Sequence, residues 1–255
     1  MKYIILLFSL FFSLQIYSQK SEYQYFSLRL GYNQGFSFQP GFNANKYLNT
    51  PNGEMQLTPI DSYLGYTPGF VADLLYHFDF PTDNAGIMAG LEYNNYGVSS
   101  KYETVNGIYS MVETHRVNAI GIPVAFKIGP KFYKKQKYGY LGAQFNYHIS
   151  MKANQKVNWL ETSTSAKLTP DEFNKTAMVF FVGFNWMVLN IQFDYVPGTF
   201  FNKDYVDPEV TSILPYSTQA DNMFFLKVSF HTPTNDWLGS KNYKLRRLLR
   251  KFKFW

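Results

Sequence analysis

Apolar residues recur at every second position over long stretches of this chain. Between residues 64 and 80 the apolar positions are Leu64, Tyr66, Phe70, Ala72, Leu74, Tyr76, Phe78 and Phe80. Polar residues, including Asp73, His77 and Asp79, occupy positions between them. Because successive side chains of a strand point to opposite faces, this period predicts a β-strand with one apolar face and one polar face.

The same period predicts eight strands, at about 23–36, 63–79, 85–102, 110–128, 138–152, 175–188, 190–201 and 222–231. The first, fifth and seventh connections are long, and the second, fourth and sixth are shorter. The third is also short and contains Asn106-Gly107, a pair typical of hairpin turns. Outer-membrane barrels have short turns at one end and longer loops at the other. The sequence therefore predicts an all-β fold, a transmembrane antiparallel up-and-down β-barrel of about eight strands.

The apolar faces of the predicted strands contain no charged residue. Their members, apart from those of the second strand given above, are Phe26, Leu28, Leu30, Tyr32, Ile87, Ala89, Leu91, Tyr93, Ile120, Ile122, Val124, Phe126, Ile128, Leu141, Phe145, Tyr147, Ile149, Met178, Phe180, Val182, Phe184, Trp186, Ile191, Phe193, Tyr195, Phe224, Leu226, Val228 and Phe230. A Lys or Arg on a lipid-facing wall costs about 2–4 kcal/mol at the bilayer midplane. The pattern therefore favours a wall that faces lipid.

The opposite faces collect the charged side chains of the strands. They are Arg29, Asp73, Glu92, Lys127, Asp194 and Lys227, three basic and three acidic. An eight-stranded barrel is only wide enough for side chains to fill its interior. These residues are therefore predicted to converge in the lumen as a network of ion pairs. Pro123, inside the fourth strand, predicts a bulge or a missing ladder hydrogen bond.

The N-terminus has the features of a secretory signal peptide. Lys2 precedes an apolar run, and Ser18 before Gln19 is a small residue suited to cleavage. We expect a signal peptide at 1–18, a barrel at 19–231 and a tail at 232–255 in an exported protein of the bacterial outer membrane. Cysteine is absent, which excludes disulfides and thiol chemistry. Aromatic residues make up 20% of the chain, which fits a lipid face and interfacial girdles.

The tail carries the basic charge of the chain. Residues 232–255 contain seven basic residues and one acidic residue, against a net charge of +6 for the whole chain. The remaining surface is therefore not predicted to bind nucleic acid. Helical spacing in the tail predicts a short basic amphipathic helix with these contact residues: Leu245, Arg246, Leu248, Leu249, Phe252 and Trp255. Such a helix suits an anionic lipid surface or a periplasmic protein partner, and the alternative is a solubilising tail.

Residues 117–127 form an apolar-Pro-apolar run that ends in Lys127, and glycine-containing stretches follow at 138–143 and 181–185. Together these three segments resemble the PorT-like outer-membrane β-barrel family of Bacteroidota. The Ser18-Gln19 signal end is also similar. The resemblance implies an outer-membrane barrel in a heterogeneous family that includes components linked to secretion machinery. Members commonly end at the last strand, whereas this chain continues for 24 residues past His231.

No motif of an enzyme or a cofactor site stands out. His148 and Ser150 have the spacing of the His/Ser pair of lipid A deacylases. A single His-x-Ser in a strand also arises by chance. Both side chains are expected to face the lumen and to form hydrogen bonds there. Asp73, His77 and Asp79 could offer ligands to a hard cation, without any recognised loop pattern. Glycine-rich nucleotide loops are absent. We therefore expect a non-enzymatic protein without a cofactor.

Four functional hypotheses remain from the sequence. The first is a structural or interaction subunit of a cell-envelope assembly, which would contact outer-membrane lipid and a protein partner through the tail and the long loops. Exposed-aromatic candidates in these loops are Trp159, Tyr205 and Tyr216. The second is a small pore or ligand-binding barrel, the third a secreted lipocalin-like binder, and the fourth a lipid A-modifying barrel enzyme.

Overall fold

The chain forms antiparallel strands in a computed structural model, which describes residues 24–36, 46–50, 53–59, 67–80, 84–104, 110–129, 137–157, 163–205 and 222–233. The strands are β1 (Gln24–Phe36), β2 (Lys46–Thr50), β3 (Gly53–Pro59), β4 (Pro68–Asp79), β5 (Ala85–Glu103), β6 (Ser110–Ile128), β7 (Lys137–Val157), β8 (Ser163–Lys167), β9 (Thr176–Trp186), β10 (Leu189–Val196) and β11 (Met223–Pro233). Within these ranges, no helix has the length and apolar character needed to cross a membrane.

Eight of the strands close into a ring. The order β5-β4-β1-β11-β10-β9-β7-β6 is continuous, and the pairing of β5 with β6 joins its two ends. All of these pairings are antiparallel, and the first strand pairs with the last from Ser27↔Pro233 to Phe36↔Phe224. The predicted fold class, an antiparallel β-barrel, is confirmed, and the ring strands match the eight predicted segments within a few residues.

The side chains alternate across the wall of the ring as the period predicted. Inward positions of β6 are buried and the outward ones are not. We call the exposed apolar side chains on the outer face of the barrel the apolar band; its large members are Leu28, Leu30, Tyr32, Phe70, Phe78, Ile87, Leu91, Tyr93, Ile120, Ile122, Val124, Phe126, Ile128, Leu141, Phe145, Tyr147, Ile149, Met178, Phe180, Val182, Phe184, Trp186, Leu189, Ile191, Phe193, Phe224, Val228 and Phe230. The interior is mixed, because polar and apolar side chains are both buried there.

The two ends of the barrel differ. The connections 80–84, 129–136 and 187–188 lie at one end, which we call the short-turn end. The connections 37–67, 104–109, 158–175 and 197–222 lie at the opposite, long-connection end. Three strands that the sequence did not predict lie in the first and fifth connections: β2 and β3 form a hairpin whose β3 joins β5, and β8 pairs with β7.

Two irregularities interrupt the ladders of β6. The β5–β6 register passes from Ala89↔Val124 to Glu92↔Gly121, so no pair is formed at Pro123, which has no N–H to donate. The β6–β7 register shifts between Asn118 and Ala119, because β7 contains one extra residue, Ile149, at that point. The first matches the expected missing ladder bond, and the second is a β-bulge that the sequence did not predict.

Several predicted features lie outside the described residues. They are the signal peptide at 1–18, the tail from residue 234 onwards with all of its predicted contact residues, and two loop aromatics, Trp159 and Tyr216. The last strand continues to Pro233, two residues past the predicted end of the barrel.

Candidate functional site

A layer of ion pairs crosses the middle of the lumen. Arg29 Nε lies 2.7 Å from Asp73 Oδ2. Lys227 Nζ lies 2.6 Å from Glu92 Oε1 and 2.7 Å from Asp194 Oδ2. These side chains come from inward positions of β1, β4, β5, β10 and β11, and all five are buried. The ring therefore brings five of the six predicted charged residues into two groups of ion pairs.

Neutral polar side chains complete this layer. Gln144 and Asn94 each donate a 2.9 Å hydrogen bond to Glu92, and Gln192 donates a 2.7 Å bond to Asp194. The Tyr140 hydroxyl accepts from Arg29 at 3.0 Å. It also lies 2.9 Å from the side-chain oxygens of Asn190 and Gln192. These neutral residues were not among the predicted site residues, although all occupy inward positions of the strands, where the alternation places them.

Lys127 forms its ion pair elsewhere in the lumen, with Asp79. Its ammonium group also lies 3.0 Å from the Tyr25 hydroxyl and 3.0 Å from His77 Nδ1, while the His77 ring stacks on Tyr25 at 4.4 Å. Asp79 was not among the six residues of the predicted network. With Asp79 and the buried Glu113 of β6, the buried charged residues of the described strands number five carboxylates and three cations rather than three of each.

An apolar plug fills the lumen at the long-connection end. Two connections fold into the mouth, where Phe173 and Phe201 form a β-bridge and the Asn174 amide donates to Phe200 O at 2.8 Å. The Asn174 side chain donates to the carbonyls of Thr199 and Phe201, at 2.9 and 2.8 Å. The plug consists of these buried residues: Tyr96, Val98, Val117, Ala119, Met151, Leu168, Phe173, Val179, Val196, Phe200, Phe201, Met223 and Phe225.

The candidate His/Ser pair does not share a face. His148 is buried, with Nδ1 2.5 Å from Asn174 O and its ring edge-on to Phe200 at 5.3 Å. Ser150 instead accepts a 2.9 Å hydrogen bond from Asn118 on the outer face. The expectation that both face the lumen is wrong, because the extra residue Ile149 reverses the alternation of β7 between them.

The candidate cation ligands are each engaged by protein partners. Asp73 pairs with Arg29, and Asp79 pairs with Lys127. His77 Nε2 lies 2.7 Å from Ser27 Oγ. Within the described ranges, no group of three or more His, Cys, Asp or Glu residues is arranged to hold a metal ion.

Comparison with family models gives no match. Comparison with curated proteins gives none either. Among solved structures, the chain is similar to the crystal structure of Neisserial surface protein A, NspA, with a TM-score of 0.33 and 10% sequence identity. The alignment covers 83% of this chain and 97% of that chain.

Proposed function

We propose that this chain is an outer-membrane β-barrel without an open channel, and that it acts as a non-enzymatic structural or interaction subunit of a cell-envelope assembly. Its outer wall supports the membrane location. The outward apolar stretches of the ring strands run over seven to nine residues, which approaches the roughly 9–11 residues of a tilted strand that crosses a bilayer. Large apolar side chains such as Ile122, Leu141 and Val182 are more than half exposed there, at 53%, 63% and 57%. A soluble barrel would leave this whole surface in water.

Outward tyrosines support the same location. At the long-connection end, the hydroxyl of Tyr93 donates to Asn118 at 3.0 Å and that of Tyr195 to Asn222 at 2.6 Å. At the short-turn end, the Tyr76 hydroxyl donates to Gln24 at 2.7 Å. The aromatic ring of each tyrosine lies on the apolar outer wall, and each hydroxyl bonds to a neighbouring polar side chain. Amphipathic aromatic rings have this orientation at membrane–water interfaces.

The filled lumen is the observation that carries the functional proposal. Ion pairs and amides occupy its middle, and the apolar plug closes the long-connection end. Lys127, Asp79, Tyr25 and His77 fill the region nearer the short-turn end. A barrel whose lumen is filled in this way has no channel for solutes, so its function is expected to depend on its outer surfaces. Catalysis by the His/Ser pair is disfavoured by the opposite orientation of its members.

Strands β5, β6 and β7 provide a surface for interaction beyond the membrane. The outward face of β6 is apolar from Ile120 to Ile128, and its positions from Ser110 to Asn118 are mostly polar. The strands therefore continue past the apolar band at the long-connection end, where β3 and β8 join them. We propose that this extension and the long loops contact a partner outside the cell, and that the basic tail contacts lipid or protein in the periplasm.

The resemblance to the PorT-like family is part of the proposal. Its residues lie in β6, β7 and β9, which are adjacent ring strands. The inward residues of these segments include Lys127, Tyr138 and Tyr140, all of which are buried in the lumen. A secretion-related assembly is the family role that would suit a barrel with a filled lumen.

Location and pore function are tested together on the full-length chain. We expect the protein in the outer-membrane fraction, with a heat-modifiable electrophoretic mobility, and no discrete conductance steps in planar bilayers. Recovery in the soluble periplasm would favour the lipocalin-like binder, and regular conductance steps would favour a pore. If the barrel is not an enzyme, we expect cells that overproduce the protein to contain the same lipid A as cells that overproduce its His148→Ala variant.

The interaction role is tested by purification from gently solubilised envelopes. We expect a stoichiometric protein partner, and we compare its recovery with that from a chain that lacks residues 240–255. Loss of the partner from the shortened chain places the contact at the tail, while retention places it at the barrel or its loops. Recovery of the barrel alone from both preparations contradicts the proposed role.

A further inference from the structure

Three cations lie side by side on the outer face of the barrel. Arg116 of β6 is directly opposite Lys152 of β7, and Lys152 is directly opposite Lys167 of β8. Lys152 and Lys167 are exposed, and Arg116 is half-buried. We call these three residues the cationic row.

The cationic row has no counter-charge within the described part of the chain. None of its three members forms an ion pair with a described carboxylate, whereas Lys101, further from the band, pairs with Glu103. Like charges directly opposite each other destabilise an antiparallel pair, and their Cβ atoms are only about 4.5–5.5 Å apart. Two successive pairs of this kind leave three neighbouring cations that a bound anion would stabilise.

The cationic row lies at a defined height above the apolar band. Tyr93, Ile120 and Tyr147 are paired neighbours at the edge of the band. The next outward row is Asn95, Asn118 and Ser150, joined by hydrogen bonds of 2.6 and 2.9 Å. Arg116 follows four residues after Ile120 along β6, about 13 Å at roughly 3.3 Å per residue. With a strand tilt of about 40°, the cationic row is about 10 Å above the last apolar row.

That height lies just outside the headgroup layer, within the reach of long basic side chains. The polar interface on each side of a bilayer is about 5–8 Å thick, and long basic side chains bend towards it from outside. Cations in this layer are within reach of lipid phosphates, and an arginine or lysine close to an anionic surface contributes favourably to binding.

The bulge in β7 gives Lys152 its outward direction. His148 points into the lumen, so an unbroken alternation would also point Lys152 inwards. The extra residue Ile149 reverses the alternation, and Met151 becomes the buried residue while Lys152 is exposed. Bulges commonly change the direction of a side chain at one point of a strand, and this one turns Lys152 outwards at the edge of the apolar band.

We propose that the cationic row binds the phosphate groups of anionic lipids in the membrane leaflet at the long-connection end. This inference rests on the proposed outer-membrane location, in which that leaflet is the outer one. The apolar band contacts the acyl chains, the polar side chains of Asn95, Asn118 and Ser150 lie at the glycerol or sugar level, and the cationic row contacts phosphate. The barrel thereby holds a preferred lipid at the side formed by β6, β7 and β8.

The test titrates the full-length barrel in neutral maltoside micelles with bis-phosphorylated lipid A and measures lipid retention by native mass spectrometry. The double variant Arg116→Gln/Lys152→Gln is expected to bind about thirtyfold more weakly, at about fivefold per cation. The matched variant Lys101→Gln/Lys156→Gln loses the same charge further from the apolar band, at the level of Val112, and is expected to stay within twofold. The exchange Arg116→Lys/Lys152→Arg keeps the charge and is expected to retain binding.

Several outcomes would overturn the inference. They are equal affinity of the Arg116→Gln/Lys152→Gln variant and the unaltered chain, equal binding of dephosphorylated lipid A, and full competition by millimolar inorganic phosphate, which would indicate a site for the free ion. Heat-modifiable mobility of every variant shows that the barrel is folded. Because lipid binding is measured in micelles and location by cell fractionation, failure of the lipid site and failure of the proposed location are separate results.

Discussion

Lys227 is held between Glu92 and Asp194 in the lumen, and one ammonium group compensates two buried carboxylates. Substituting Lys227 with a neutral residue therefore costs more stability than substituting an exposed lysine, because water cannot reach the two carboxylates that lose their cation. The same reasoning applies to Arg29 and Asp73, which are 2% and 3% exposed. At the scale of single residues, stability of the interior depends on matched pairs rather than on any one group.

The substitution Lys227→Met is expected to destabilise the folded barrel by about 3–5 kcal/mol, because it leaves two carboxylates buried without their cation. The measurement is urea-induced unfolding in micelles, followed by tryptophan fluorescence. Lys156→Met, at an exposed position of β7, is the control and is expected to change stability by less than about 0.5 kcal/mol. Equal effects of the two substitutions would show that Lys227 is not needed to balance the buried charge.

Gly183 leaves room for the ring of Tyr140. A Cβ atom at Gly183 would lie 2.3 Å from Tyr140 Cζ, whereas one at Gly139, on the outward face of β7, would meet nothing closer than Gly183 O at 3.9 Å. Gly183→Ala is therefore expected to destabilise the barrel by about 1–3 kcal/mol through overpacking. Gly139→Ala is expected to be neutral or slightly stabilising in the same unfolding assay. A neutral Gly183→Ala would contradict the packing of Tyr140 against β9.

At the scale of elements, β6 has two halves with the same inward alternation but different outer faces. Ile122→Lys places a cation within the apolar band and is expected to cost about 2–4 kcal/mol, while Val112→Lys on the same face, beyond the band, is expected to cost about 0–1 kcal/mol. Refolding into lipid vesicles at graded urea concentrations measures both values. A difference of less than about 1 kcal/mol would indicate that Ile122 is not surrounded by lipid.

The period-two pattern predicted the ring strands because each has a continuous apolar outer face that only lipid-facing strands require. It did not predict β2, β3 and β8, which lie in connections and lack such a face. It also missed the bulge at Ile149, since neighbouring Tyr147 and Ile149 continue the apolar alternation up to the edge of the band. Ser150 was consequently assigned to the wrong side of the wall.

The inward positions of the charged residues followed from the same alternation, but their partners did not. Pairing of Lys127 with Asp79 depends on which residues of non-adjacent strands share a height in the lumen. That height is set by the stagger of the closed ring, which no local pattern contains. For the same reason, the entry of Phe200 and Phe201 into the mouth could not be read from the loop sequence.

At the scale of the whole molecule, the lumen is closed by two independent layers, the apolar plug and the ion-pair layer below it. Phe200→Ala/Phe201→Ala shortens two side chains of the plug but leaves Arg29, Lys227 and their partners in place. We therefore expect no conductance from this variant in planar bilayers, as from the unaltered chain. Conductance steps that arise from the double substitution would show that the plug alone seals the barrel.

The pairing of β1 with β11 has a consequence for the time at which the barrel can form. The Thr232 hydroxyl donates to Leu28 O across 204 positions of the chain. The edges on β1 and β10 therefore stay unpaired until the last strand has been synthesised, although the strands between them can pair with one another. Bringing together two strands so far apart in the sequence has an entropic cost, and this cost slows the closure of the barrel. In the proposed outer-membrane location, biogenesis would therefore require that the unclosed chain be escorted until the final strand arrives and the barrel can close.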